Sequence, residues 1–375
     1  MALATLPLSG VSYGQTMTFH GISQRQRFPG YIASDYSQVL DDLRGSHPYQ
    51  SVVAVYDCDV PAVGPFVDTL AKYVSSPLTR LPLKAGEPLK TPNQVLKAVD
   101  HLGQQRVTEK SLMFVIGGGT LCNFAGFIAA MWNGMEAVFV PTNFTAIADV
   151  AIGSLHMINV GGIKNQLQLF RDPLAVVFDP QFMATLPRAE RRNGLAETAK
   201  HAVAQDAALF EYLERVAADG SIFRDDLLFD TAIRTAQLKD ELMGVDPLGE
   251  KTQGIFLYGH VMAHAIESAS GYTIPHGEAV SLGILVELAF FHDPTSPLFR
   301  RVRALLEHLG LPIQMPENLK VSDVMDHLAH ATTEQETLLI PRVKELGALE
   351  SIGGRYLEKF DHAAIQRALS VIIST

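Results

Sequence analysis

Short apolar runs rich in β-branched residues recur through the first half of the chain, and each ends abruptly in glycine, proline or aspartate. Ser51-Val-Val-Ala-Val-Tyr56 runs into Asp57-Cys58-Asp59, Ser111-Leu-Met-Phe-Val-Ile116 into Gly117-Gly118-Gly119, Ala137-Val-Phe-Val140 into Pro141-Thr142, and Leu174-Ala-Val-Val-Phe178 into Asp179. A strand covered on both faces reads as such a run, because neither face meets water. A further strand is expected near 78–83, helices are expected over 62–74, 92–102 and 121–131, and the polar stretch 1–30 reads as an edge strand or hairpin. Strands alternating with helices at this spacing predict a parallel, doubly wound α/β sheet, which binds ligands at the carboxyl ends of its strands. Three glycines at such an end let backbone amides approach a phosphate at a helix N-terminus, or simply make a tight turn. They do not form the Gly-x-Gly-x-x-Gly fingerprint of the standard dinucleotide fold.

Past Pro187 the pattern changes to amphipathic stretches, at 195–204, 207–218, 227–242, 256–268, 279–292, 298–309, 321–330 and 362–370, which predict a helical second domain. The boundary falls near Leu186 and divides the chain into an α/β domain over 1–186 and an all-α domain over 187–375. No linker stands out in composition there, so two domains packed around a cleft are expected. A net charge of -10 argues against a nucleic-acid surface, which selects for excess lysine and arginine. The two cysteines, Cys58 and Cys122, lie in different expected elements, so a reducing cytoplasm and no disulfide framework are expected. Residues 1–14 lack a basic region before an apolar run, and no apolar segment reaches the roughly 18 residues of a membrane span. The expectation is a cytoplasmic enzyme with a small-molecule substrate and no membrane partner.

Candidate chemistry concentrates between Tyr258 and Glu278, where His260, His264 and His276 fall within 17 residues. On a helix over 256–268, His260 and His264 at i and i+4 share a face, and His276 follows a short loop able to fold back toward it. Neutral imidazoles suit zinc, cobalt, nickel or iron, and three protein ligands with an open position make the catalytic pattern. A single histidine is more often a core or surface residue; the density here favours a site.

Taken in chain order, the triple glycine after a strand, Val140-Pro141-Thr142, Asn159 followed by Lys164-Asn165, Gly194-Leu-Ala-Glu197-Thr-Ala-Lys200, Gly259-His260 with His264-Ala-Ile-Glu267, and His276-Gly-Glu278-Ala-Val280 resemble the dehydroquinate synthase family of sugar phosphate cyclases. That family also includes 2-deoxy-scyllo-inosose synthase and the 2-epi-5-epi-valiolone synthases. The resemblance implies an NAD-binding α/β domain, a helical domain, and a divalent metal, zinc or cobalt, in the cleft between them. It implies metal ligands at Glu197, His260 and His276, and a catalytic role for His264, which spacing alone makes a ligand. It places further catalytic and substrate-facing residues at Lys200, Lys239, Asp149 and Asn159. It places NAD contacts at Asp57, Glu87, Lys90, Gly117, Gly118, Gly119, Thr142, Lys164 and Glu190; in isolation Glu87, Lys90 and Glu190 read as solvated surface charges. The implied chemistry on a sugar substrate is redox-neutral: transient oxidation, β-elimination of phosphate, reduction and intramolecular aldol closure. Family members are commonly homodimers.

The expected phosphate pocket departs from the family pattern. The family's Gly-Gly-Lys is Gly153-Ser154-Leu155, its asparagine before the metal-binding Gly-His is Leu257, its Arg-Gly before the Val-Pro-Thr strand is Asn133-Gly134, and its Asp-Lys-Lys between His330 and Pro341 is missing. Each lost cationic hydrogen bond to phosphate weakens binding by ~1.5–3 kcal/mol. Either other cations such as Arg171, Lys251 or a partner-subunit residue take over, or the substrate lacks that phosphate. Gln253 stands where dehydroquinate synthases read a substrate carboxylate with arginine, which favours a cyclase of specialised metabolism over dehydroquinate formation. The competing readings are a metal polyol or alcohol dehydrogenase similar to glycerol-1-phosphate dehydrogenase, and a non-catalytic relative.

Overall fold

The computed structural model describes residues 12, 14–21, 27–33, 36–161, 163–246, 253–328, 337–350 and 357–373. The chain divides into two compact units, Met1–Pro187 with Leu228–Pro247, and Arg188–Leu227 with Leu248–Thr375. In the first, chain order runs β1 Thr16–His20, β2 Arg27–Ile32, α1 Tyr36–Ser46, β3 Ser51–Asp57, α2 Val63–Tyr73, β4 Leu78–Leu83, α3 Pro92–Gln104, β5 Ser111–Gly117, α4 Gly119–Met131, β6 Glu136–Pro141, β7 Leu155–Val160, β8 Ile163–Phe170, β9 Ala175–Phe178 and α5 Gln181–Thr185.

Seven of these strands form one sheet in the order β1-β2-β9-β6-β5-β3-β4. The hairpin of β1 and β2 is antiparallel and every other neighbour pair is parallel. Every residue of β5 is buried, which is why its sequence is apolar without alternation. The chain leaves β3 for β4 on one side and returns to β5 on the other, so the strand order reverses between β3 and β5. In open α/β sheets the crevice outside the carboxyl ends of such strands is the ligand position. Register pairs Tyr56 with Ile116 and Gly117 with Pro141, which aligns the carboxyl ends of β3, β5 and β6 along one edge.

The hairpin of β7 and β8 is a separate two-stranded sheet, outside the strands expected from the sequence. It packs on α4 through His156, whose ring stacks on Phe139 at 5.5 Å and occupies a notch that only Gly126 leaves open. A Cβ at Gly126 would come within 2.3 Å of that ring. Burial pushes the His156 imidazole down to about 4, against the opposing pull of the Arg171 carbonyl and Asp172. An unfolded histidine titrates near 6.5, so between those values the unfolded chain binds the extra proton and stability falls as pH drops. We expect His156→Gln to remove about 3 kcal/mol of this acid sensitivity. Urea unfolding of both proteins at pH 7 and pH 4 checks it: their stability difference should narrow or reverse toward acid.

Beyond Pro187 follow α6 Arg188–Ala204, α7 Ala207–Ala218 and α8 Asp225–Val245. From residue 228 onward α8 groups with the first unit, although its amphipathic pattern reads as part of the helical half. Two polar clamps hold it there. The His20 backbone N–H donates to Asp240 Oδ1 at 2.6 Å and His20 Nδ1 lies 2.9 Å from Oδ2, while Lys239 Nζ donates to the Asp149 carbonyl at 2.8 Å and to its carboxylate.

The second unit continues with α9 Gln253–Leu257, α10 His260–Ala269, α11 His276–Ala289, α12 Pro297–His308, α13 Val321–Leu328, β10 Thr337–Pro341, β11 Val343–Glu345, β12 Ala348–Leu349, β13 Leu357–Asp361 and α14 His362–Leu369. Helices dominate as expected, with two short antiparallel pairs, β10 with β13 and β11 with β12, in addition. The single helix expected over 256–268 is two, broken at Gly259, which takes the left-handed φ of 77°. Among the described residues no helix is long and apolar enough to cross a membrane. Cys58 is exposed, Cys122 is buried, and neither is paired.

Candidate active site

The last eleven residues of α6, from Gly194 to Ala204, are all buried, so this half of the helix is walled in on every side. A charge in such a place needs a partner within hydrogen-bonding reach. Glu197 and Lys200, each 3 % exposed, supply one to each other one turn apart, with Nζ 2.7 Å from Oε2. Burial alone would raise the Glu197 carboxyl, but the Lys200 ammonium and the neighbouring imidazoles hold it well below the usual carboxylate range. Its other oxygen, Oε1, faces two histidines.

His260 is the first residue of α10, and its Nδ1 lies 3.1 Å from the Tyr258 carbonyl. A carbonyl only accepts, so Nδ1 donates to it, and Nε2 lies 3.2 Å from Glu197 Oε1. His276, after the short loop that follows α10, is the first residue of α11, set there by Pro275 and by the Gly277 N–H donating to Asn193 Oδ1 at 2.6 Å. Its Nε2 is 3.3 Å from the same Glu197 Oε1, and its Nδ1 is 3.3 Å from Glu267 Oε2. Burial would lower this imidazole, yet the two carboxylates outweigh it and push it up to about 10. Glu197, His260 and His276 thus offer one carboxylate oxygen and two imidazole nitrogens within 4.8 Å of one another.

That donor set suits a borderline divalent cation, which one carboxylate and two histidines bind while leaving a position open. His264 is exposed and outside this trio, its ring centroid 5.8 Å from that of His260 and 6.3 Å from that of His276. The i, i+4 spacing that makes His260 and His264 joint ligands is therefore misleading: the trio needs His276 and an acid from α6. Neither the spacing nor the resemblance assigns a role to Glu267, which the structure sets beside His276. Its signal was present, since 260, 264 and 267 fall on one helical face, and a ligating histidine normally donates its far nitrogen to a carboxylate.

The remaining expected site residues, except Glu190, lie in the first unit. Asp57 ends β3, Gly117 ends β5, and Thr142 follows β6 with its N–H donating to the Gly117 carbonyl at 3.0 Å. Gly118 and Gly119 open α4, where a Cβ at Gly118 would strike Asn143 at 2.7 Å and one at Gly119 would press on Val150 at 3.0 Å. Close packing against Asn143 and Val150 therefore already disfavours a side chain at either position. After β4, Glu87 accepts from Asn159 Nδ2 at 2.8 Å, and the buried Lys90 donates to Asn165 Oδ1 at 2.9 Å. Asn165 in turn donates its N–H to Asn159 Oδ1, so Glu87, Lys90, Asn159 and Asn165 form one network. Burial lowers the Lys90 ammonium, Glu87 opposes this, and Lys164 adds to it. Asp149 and Lys239 pair as described above. Glu190 is exposed in the first turn of α6, in the other unit.

Arg171, one candidate to replace the missing phosphate-binding cations, is committed elsewhere. Its guanidinium donates to the Gly134 carbonyl and lies 3.3 Å from Glu136, so it braces the 133–136 turn. Leu155 is half-buried opposite Phe170 at the start of β7, and Leu257 is half-buried at the end of α9. Lys251, the Gln253 side chain and residues 331–336 lie outside the described residues.

The fold has counterparts among known proteins. A solved 2-deoxy-scyllo-inosose synthase, complexed with carbaglucose-6-phosphate, NAD+ and Co2+, matches 95 % of this chain and 99 % of its own with a TM-score of 0.85 at 20 % identity. A 2-epi-5-epi-valiolone synthase from Streptomyces hygroscopicus subsp. jinggangensis, with NAD+ and Zn2+ bound, matches 94 % and 98 % with a TM-score of 0.79 at 21 % identity. In sequence, 3-dehydroquinate synthase from Chlamydia pneumoniae is 33 % identical over 74 % of this chain and 73 % of its own length. The family models for the 3-dehydroquinate synthase N-terminal and C-terminal domains match residues 80–193 and 194–333. The chain belongs to the 3-dehydroquinate synthase family.

Proposed function

We propose that this chain is an NAD- and divalent-metal-dependent lyase that converts a sugar phosphate to a carbocycle, with Glu197, His260 and His276 holding the metal. The observation that carries the reading is the convergence of those three donor atoms, backed by the family assignment. When bound, the cation would supply Lewis acidity to a substrate hydroxyl and the dinucleotide a reversible store for a hydride. Lys200 balances the charge of Glu197 and keeps an ammonium beside the trio, while Glu267 holds Nδ1 of His276 and so leaves Nε2 to the metal. In the first unit, Lys239 is aimed by its two bonds to Asp149 and serves as a substrate-orienting cation. The carboxyl ends of β3, β5 and β6, with Asp57, the three glycines and Thr142, form the dinucleotide position, flanked by Glu87, Lys90 and Lys164.

The lost phosphate cations and Gln253 favour a substrate of specialised metabolism. The names of the curated relatives favour a second reading, 3-dehydroquinate formation itself. A phosphorus NMR and mass-spectrometric screen of C6 to C7 sugar phosphates, with and without a carboxylate, in the presence of NAD+ and cobalt or zinc separates the two. Turnover of carboxylate-free sugars supports the first, and turnover confined to a carboxylate-bearing heptulose phosphate supports the second. Leu155→Lys should fold normally, because its position is half-buried at a strand start. It should tighten sugar-phosphate binding roughly 10- to 100-fold by restoring one charge-assisted hydrogen bond. Calorimetric titration measures this, and much weaker binding would count against Leu155 facing the phosphate.

A further inference from the structure

The helix that begins with His260 lacks a cap of its own. Its N-cap is Gly259, which has no side chain to offer the unpaired amides of the first turn. The cap comes from α11 instead: Glu287 Oε2 accepts from the Gly259 N–H at 2.8 Å and Oε1 from the Met262 N–H at 3.1 Å. Glu287 is fully buried, and burial pushes its carboxyl up to about 8 against the opposing pull of the Gly259, Met262 and Val261 N–H groups. It stands on the helix whose first residue is His276, roughly three turns further on. Between the two, Gly283 lies against the Gly259 turn so closely that a Cβ there would sit 2.0 Å from the Gly259 carbonyl oxygen. One helix therefore carries one imidazole at its start and, through Gly283 and Glu287, fixes the height and rotation of the helix that carries the other.

We propose that Glu287 is a positioning residue for the metal-binding trio, acting through the N-terminus of α10 to set His260 against His276. The inference rests on the trio being a metal site. Metal ligands must be held within a few tenths of an ångström, and supporting carboxylates commonly control affinity for that reason.

The test compares the full-length chain with E287Q, with the milder E287D, and with L305A, a cavity variant in the buried core of α12 in the same unit. Zinc affinity is measured by chelator competition and ligand geometry by the visible absorption of the cobalt-loaded protein. We expect E287Q to weaken zinc binding roughly 10- to 100-fold and to alter the cobalt spectrum, and E287D to do the same more mildly. L305A should lose stability while keeping both readouts. Wild-type affinity and spectrum in E287Q would overturn the inference; should E287Q fail to fold, the same result in E287D would do so. An equal loss of affinity in L305A would assign the effect to general stability and overturn it as well. No metal binding by the unmutated chain would sink the metal-site reading, and this inference with it.

Discussion

His260→Ala and His276→Ala should each eliminate turnover and weaken divalent-metal binding by more than the roughly 10- to 100-fold that losing a supporting hydrogen bond causes. The reason is the donor count: a carboxylate and one imidazole remain, too few to hold a borderline cation against water. Folding should survive, because the buried Lys200–Glu197 bridge is untouched in both variants. Glu197→Ala should behave differently. It strands the Lys200 ammonium, 3 % exposed, without its carboxylate, and leaving a buried charge unpaired costs about 3–5 kcal/mol. Thermal unfolding and metal titration, run together, should show the histidine variants folded and metal-poor, and Glu197→Ala both metal-poor and destabilised. A histidine variant that binds metal like the parent would contradict the trio.

The second large effect is expected at Gly277, the residue after His276. An ideal Cβ there would lie 1.9 Å from the Asn193 carbonyl oxygen, where the start of α11 bears on α6. Backbone cannot yield as a flexible side chain does, so Gly277→Ala should cost about 3 kcal/mol, at the upper end for overpacking, and push His276 off the trio. Gly271→Ala is the contrast. Its φ of +61° strains any side chain, but nothing lies within 4 Å. It should cost about 1 kcal/mol and leave metal binding unchanged. Chemical denaturation and zinc competition on both variants check the pair. Similar losses of metal affinity at the two positions would contradict the close fit of α11 on α6.

These expectations show which parts of the molecule were legible in the sequence. The strands of the large sheet were, because burial on both faces writes β3 and β5 as unbroken apolar runs. The hairpin of β7 and β8 was hidden by its own packing. Its inward face carries His156, a residue that reads as polar and is accommodated only by the notch at Gly126, more than twenty residues away. The break at Gly259 was equally hidden, since an interior glycine and a left-handed one look alike and the compensating cap, Glu287, comes from another helix. Motif resemblance singled out Glu197, His260 and His276, which local periodicity could not, because an i, i+4 rule has no access to an acid some sixty residues upstream. It left Glu267 and Glu287 without roles, although both carboxylates are buried within hydrogen-bonding reach of the segments that bear the imidazoles. The membership of α8 in the first unit depends on His20–Asp240 and Lys239–Asp149, pairings over 220 and 90 residues that no local pattern encodes.

The most direct test of the proposed chemistry follows inorganic phosphate and NADH absorbance in the same reaction, with metal-loaded protein, NAD+ and a sugar phosphate substrate. Redox-neutral ring closure should release one phosphate per substrate consumed with no net rise in NADH. NADH accumulating in step with substrate loss, without phosphate release, would contradict it and identify a dehydrogenase.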